Sequence, residues 1–160
     1  MGDVYVTLVN NGDAQADISV QRKDSPGSIL RPGWNLVAAP GNLSKNNNAE
    51  LFAELKPFTL DRENMGYVRV SLPLSGGEAM WIFSVKRQHV PFVYEEANGV
   101  VGGLTDAKGW QMVGVGGAEA VELDNVLTAW QWSDGKWKPL EINGGKVTLA
   151  TGKGYFVFRE

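Results

Sequence analysis

Arg31–Gly41 reads RPGWNLVAAPG, and Lys108–Gly117 reads KGWQMVGVGG. Each sets a tryptophan directly behind a glycine and follows it with a short apolar run. Glycine allows a turn that a Cβ would oppose, and the run reads as a buried strand. Trp110 lies 76 positions after Trp34. A second pair of stretches recurs at nearly the same spacing. GGEAMWIFSV (Gly76–Val85) and TGKGYFVF (Thr151–Phe158) align Gly77 with Gly152, Trp81 with Phe156 and Phe83 with Phe158 at a shift of 75. Two anchors in near-constant register indicate an internal duplication.

The units are 28–87 and 104–160, joined by a connector over 88–103, in which VPFVYEE is read as a further strand and ANGVVGG as glycine-rich linkage, and preceded by an N-terminal segment, 1–27. Within 1–27, VYVTLVN and ADISVQR alternate apolar and polar residues around a turn at NNGD, which predicts a β-hairpin pairing 3–9 with 16–22. Each unit opens at Gly33-Trp34 or Gly109-Trp110 and closes on an aromatic strand against which its tryptophan is expected to be buried. In the first unit, Asn48 is expected to cap a short helix carrying Leu51, Phe52 and Leu55, ended by Lys56-Pro57. In the second, Val121, Val126 and Leu127 are read as lining a matching helix. Ser133-Asp134-Gly135-Lys136 predicts a hairpin, because a type I′ turn needs positive φ at both central residues and Asp-Gly supplies it. The fold class is therefore mostly β (α+β): two pseudo-equivalent β-rich repeats sharing one compact domain, each with a short helix, plus the N-terminal hairpin. Twenty glycines and seven prolines in 160 residues fit short strands and tight turns.

GWNLV (Gly33–Val37), together with WSDGKWKPL and GKGYFVF, resembles a repeated Gly-Trp-Asn-Leu module of bacterial and archaeal surface and secreted proteins. The second unit carries the closing signature in Gly152, Lys153, Gly154 and Tyr155. The first departs from it there, with Gly76-Gly77-Glu78-Ala79-Met80. Gly33, Trp34, Gly109, Trp110, Gly152, Gly154 and Tyr155 are fold markers in this resemblance. It implies an accessory role in attachment or assembly and names no ligand.

Composition excludes several functions. Net charge is −3, so no basic field exists to neutralise phosphates and no nucleic-acid partner is expected. The apolar runs are far shorter than the ~20 residues of a membrane-spanning helix, so no membrane insertion is expected. The opening MGDVYVTLVNNGD has neither a basic nor an apolar leader region and is read as a mature form or fragment without a signal peptide. The absence of cysteine removes thiolate metal sites and thiol nucleophiles. The single histidine, His89, supports neither a triad nor a multi-histidine metal site, and is read as a surface residue. Glu95-Glu96 and Glu122/Asp124 read as solvated charge. VGVGG (Val113–Gly117) lacks the Lys-Ser/Thr of a phosphate loop and reads as a strand end. No catalytic residue, cofactor or metal is expected.

Aromatic residues are the one chemical excess. Of six tryptophans, Trp130 and Trp132 share a strand face, and Trp137 follows on the partner strand. At least two of these three are expected to be buried. The reading is a non-enzymatic structural, adhesion or assembly module of a bacterial extracellular or cell-surface assembly, or of a phage virion, acting through protein partners or self-assembly. The alternative is carbohydrate binding, with Trp130, Trp132 and Trp137 stacking on sugars while Asp134 and Gln131 meet hydroxyls.

Overall fold

The structure is a computed structural model that describes residues 29–97 and 99–160. The expected hairpin over 3–9 and 16–22 lies outside the described residues. The chain runs β1 (Ile29–Leu30), β2 (Gly33–Ala38), β3 (Gly41–Asn42), α1 (Lys45–Leu55), β4 (Phe58–Asp61), β5 (Gly66–Arg69), β6 (Ala79–Ser84), β7 (Gln88–His89) and β8 (Glu95–Glu96). It continues as β9 (Val100–Gly102), β10 (Gly109–Gly116), β11 (Val121–Leu123), β12 (Val126–Ser133), β13 (Lys136–Pro139), β14 (Val147–Leu149) and β15 (Gly154–Arg159). The protein is thus mostly β, with one helix among the described residues.

Two antiparallel sheets dominate, a four-stranded one in the order β2-β6-β4-β5 and a five-stranded one in the order β13-β12-β15-β10-β9. Strand alternation gives each sheet two distinct faces. The outer face of the first sheet presents Val37, Met80 and Ile82 to Phe52 of α1 and to Val90 and Phe92. The outer face of the second presents Val113, Val115, Tyr155 and Val157 to the β11–β14 ribbon through Leu123, Val147 and Leu149. Burying a side chain such as Ile82 or Val157 contributes roughly 1.5–3 kcal/mol. The inner faces meet through Leu36, Ala79, Trp81 and Met112. The layers therefore run helix, sheet, sheet, ribbon.

The opening and closing strands of the two halves pair in the same register. Trp34 lies opposite Phe83 and Leu36 opposite Trp81; Trp110 lies opposite Phe158 and Met112 opposite Phe156. Gly33 and Gly109 share a positive φ, 96° and 100°.

Several expectations are corrected. The second half has no helix at Val121, Val126 and Leu127: these residues lie in β11 and β12. β-branched Val121 and Val126 favour strand, and Asn125 at φ 58° breaks the chain between them. The 88–103 connector is not wholly a linker, since Val100–Gly102 forms an edge strand of the five-stranded sheet. Asn48 does not cap α1. Ser44 occupies the cap position, and Asn48 is buried one turn inside. The Asn48 amide donates to the carbonyls of Ser44 and Val93, and its Oδ1 accepts from the Val93 N–H, tying the helix to the loop after β7. Lys56, in the left-handed region, ends the helix by donating its N–H to the Phe52 carbonyl.

Candidate functional site

The inner faces touch closely at one end and part at the other. At the closed end the packing is nearly backbone on backbone. A Cβ on Gly114 would lie 2.5 Å from Ala38 Cβ and 2.5 Å from the Gly77 carbonyl oxygen. A Cβ on Gly154 would lie 2.5 Å from Leu36 Cγ. Only glycine permits that approach. Along the same inner faces small residues then give way to large ones toward the open end. On β2 the series is Ala38, Leu36, Trp34; on β6 it is Ala79, Trp81, Phe83; on β15 it is Gly154, Phe156, Phe158; on β10 it is Gly114, Met112, Trp110. Small residues at one end and aromatic rings at the other make a wedge.

The wedge opens as a cleft of about 380 Å³ walled by Trp34, Phe58, Tyr67, Trp81, Trp132 and Trp137. Trp137 also walls an adjoining cavity of about 340 Å³ with Trp110, Trp130 and Phe156. The rings meet edge to face throughout. Trp34 and Phe83 are 5.3 Å apart at 66°, Trp81 and Trp132 5.4 Å at 77°, Trp132 and Trp137 5.2 Å at 74°, and Trp137 and Phe156 5.3 Å at 89°. Trp110 repeats the Trp34 arrangement against Phe158, at 5.3 Å and 70°. Edge-to-face pairs of this kind add about 0.5–1.5 kcal/mol beyond area burial.

The expected burial of the tryptophans is corrected. Trp34 is 46 % exposed, Trp110 41 % and Trp137 39 %, while Trp130 and Trp132 are only partly buried. Trp34 and Trp110 do pack on the aromatic closing strands, as read, but each stays part-exposed. They stand at the open end of the wedge. Trp81 is the ring that is buried, at 8 % exposure, and its indole N–H has no hydrogen-bond partner among the described residues.

The Asp134-Gly135 turn has positive φ at both residues, 54° and 74°. It sets Trp132 directly opposite Trp137 and Trp130 opposite Pro139, all on the cleft side of the sheet. Gln131 falls on the other face, beside Tyr155 in register, and cannot join the three tryptophans. Asp134 is engaged elsewhere, with Arg31 at 2.6 Å and Lys138 at 3.0 Å. The Lys138 hydrogen bond, then that of the Ser133 hydroxyl, hold the Asp134 carboxyl below the usual carboxylate range. Asp134 lines a separate polar groove of about 660 Å³ with Arg31, Asn35 and Lys153, which Trp34 and Trp132 also border. Trp132 fastens the halves by donating its indole N–H to the Trp34 carbonyl at 2.8 Å.

Of the fold markers, Gly154 lies at the seam. Tyr155 is buried beneath it, its hydroxyl donating to the Ala150 carbonyl and accepting from the Ala150 N–H. Gly152, at φ 73°, accepts from the Ala38 N–H of the other half through its carbonyl. His89 is exposed on β7 and bonds no carboxylate among the described residues. Glu122 and Asp124 pair with Lys146 at 2.7 and 3.3 Å. Among the described residues no three acidic or histidine side chains group as metal ligands, and no helix is long and apolar enough to cross a membrane.

Sequence reading missed Phe58, Tyr67, Trp81 and Phe156 as site residues and took Trp34 and Trp110 for fold markers alone. The small-to-aromatic gradient at alternate positions of four strands marks Trp34, Trp81, Trp110 and Phe156; Phe58 and Tyr67, on β4 and β5, lie outside it. Set against protein-family models, curated proteins and solved structures, the chain matches none.

Proposed function

We propose that this protein is a non-enzymatic docking module of a bacterial extracellular, cell-surface or phage-virion assembly, and that it holds a protein partner in the aromatic cleft. The observation that carries the reading is the cleft itself. Six aromatic side chains from both sheets wall one opening, and three tryptophans at or beside it, Trp34, Trp110 and Trp137, keep about two fifths or more of their surface exposed. Contiguous exposed aromatic surface is costly to leave uncovered and is the usual ground of a protein interface. The resemblance to surface-protein modules supports the same role.

The polar groove favours the second reading, carbohydrate binding, because it sets Trp132 beside Asp134. It ranks second for two reasons. The rings are perpendicular rather than coplanar, and the nearby polar groups already bond one another: Asn35 with Arg31 and Gly33, Asp134 with Arg31 and Lys138.

The test is selection of a random displayed-peptide library on the wild-type protein, with a parallel tryptophan-fluorescence titration of cello-, chito- and manno-oligosaccharides. Enriched peptides that bind the wild type but not Trp34→Ala or Trp137→Ala are the expected outcome. A library that yields none, with saturable binding of one glycan that Trp132→Ala abolishes, sinks the docking reading and promotes the sugar one.

A further inference from the structure

The geometry points to a proline-rich, extended segment with an acidic flank as the occupant of the aromatic cleft; this rests on the docking reading above. The first argument is hydrogen-bond supply. Of the six side chains that wall the cleft, only the Tyr67 hydroxyl can accept a hydrogen bond. The rest are phenyl and indole, and indole only donates. The Trp132 N–H is spent on the Trp34 carbonyl. The Trp81 N–H is buried without a partner among the described residues. Neither Trp34 nor Trp137 uses its indole N–H in a hydrogen bond among the described residues. A ligand for such walls must bring acceptors and few donors, because each donor buried against phenyl and indole goes unsatisfied. Ordinary peptide carries one N–H per residue and a sugar several hydroxyls. Proline carries a carbonyl and no N–H.

Shape agrees with supply. Rings set edge to face leave slots between them instead of a flat platform, and the pyrrolidine rings of a polyproline II segment are compact enough to fill slots. That conformation has no internal hydrogen bonds and is largely preformed, so little ordering entropy opposes docking.

Charge fixes the flank. Arg69 shares the cleft side of β5 with Tyr67, directly opposite Phe58 in register. Its guanidinium lies 4.0 Å over the Phe58 ring and donates to the Lys56 carbonyl. It is exposed and forms no ion pair among the described residues. A carboxylate flanking the proline run would complete it.

The experiment is a tryptophan-fluorescence titration of the whole chain with four probes: a capped octaproline flanked by glutamates, the same peptide flanked by glutamines, a glutamate-flanked leucine–alanine peptide of equal length, and cellohexaose. Saturable binding of the glutamate-flanked proline peptide is expected, lost in Trp137→Ala. It should weaken about 3- to 10-fold both in Arg69→Gln and with the glutamine-flanked peptide, as for one charge-assisted contact. Far-ultraviolet circular dichroism establishes that both variants keep the fold. Equal or tighter binding of the leucine–alanine peptide overturns the proline inference and leaves the docking reading standing. Binding of cellohexaose alone overturns both. No binding of the proline peptide at millimolar concentration overturns the inference, and equal binding of the two proline peptides overturns its acidic part.

Discussion

Trp132 and Trp34 stand 98 residues apart, yet the indole N–H of one is bonded to the backbone carbonyl of the other at 2.8 Å. This contact spans the two sheets at the edge of the cleft. Trp132→Phe keeps a ring there and removes the donor. It should lower the free energy of unfolding by about 1 kcal/mol, read as a lower urea midpoint at unchanged slope. An unchanged midpoint would mean that the bond does not help to fasten the halves.

Gly114→Ala tests the seam. The new methyl meets Ala38 Cβ and the Gly77 carbonyl oxygen, neither of which is the movable end of a long side chain. Overpacking of this kind costs roughly 1–3 kcal/mol. Gly66→Ala is the control, because a Cβ there meets nothing within 4 Å. It should be neutral or slightly stabilising, as removal of chain freedom from the unfolded state predicts. If thermal unfolding ranks the two variants the other way, the backbone-contact account of the closed end fails.

Burial raises the Tyr155 hydroxyl above its ordinary range, and the hydrogen bond from the Ala150 N–H opposes that more weakly. The unfolded chain therefore ionises first. The contribution of Tyr155 is fully present below about pH 10 and is lost as pH rises through the folded-state value. Tyr155→Phe should cost about 1–3 kcal/mol at neutral pH, because it strands the Ala150 N–H and carbonyl. It should also flatten the alkaline fall in stability. Lys146, raised chiefly by its hydrogen bond to Glu122 and then by that to Asp124, adds a fall of the same sign that the variant retains. Urea unfolding from pH 7 to 11 reads both effects, and an alkaline slope as steep as in the wild type would contradict this assignment.

Trp81→Ala removes the one buried ring of the wedge and should cost about 3–5 kcal/mol. Phe83→Ala, at the mouth and 51 % exposed, should cost clearly less. Comparable losses in thermal denaturation would show that the mouth is packed as a core.

What was legible in the sequence followed from local chemistry. Asp134-Gly135 announced its turn, and the Gly-Trp strands announced their aromatic partners. The duplication is a proposal that the matching registers of Trp34 with Phe83 and Trp110 with Phe158 support. Burial is not legible locally, because it depends on what lies opposite a strand. Trp34 and Trp81 look alike in sequence, and only the distance between two sheets separates a rim ring from a core ring. The second helix was misread because Val121, Val126 and Leu127 satisfy a helical spacing over a window too short to discriminate, while Asn125 between them takes a positive φ. Asn48 reads as a cap in sequence because its actual role, anchoring Val93 45 residues away, is a tertiary fact.

The two ends of the wedge stand in opposite relation to mutation. At Gly114 and Gly154 any side chain is too large, so the hinge line has no smaller residue to drift toward and no room for a bigger one. At the lips, a change of ring reshapes the cleft walls without touching the glycine contacts of the closed end. Substitution can therefore reshape the cleft one lip residue at a time while the closed end keeps its form.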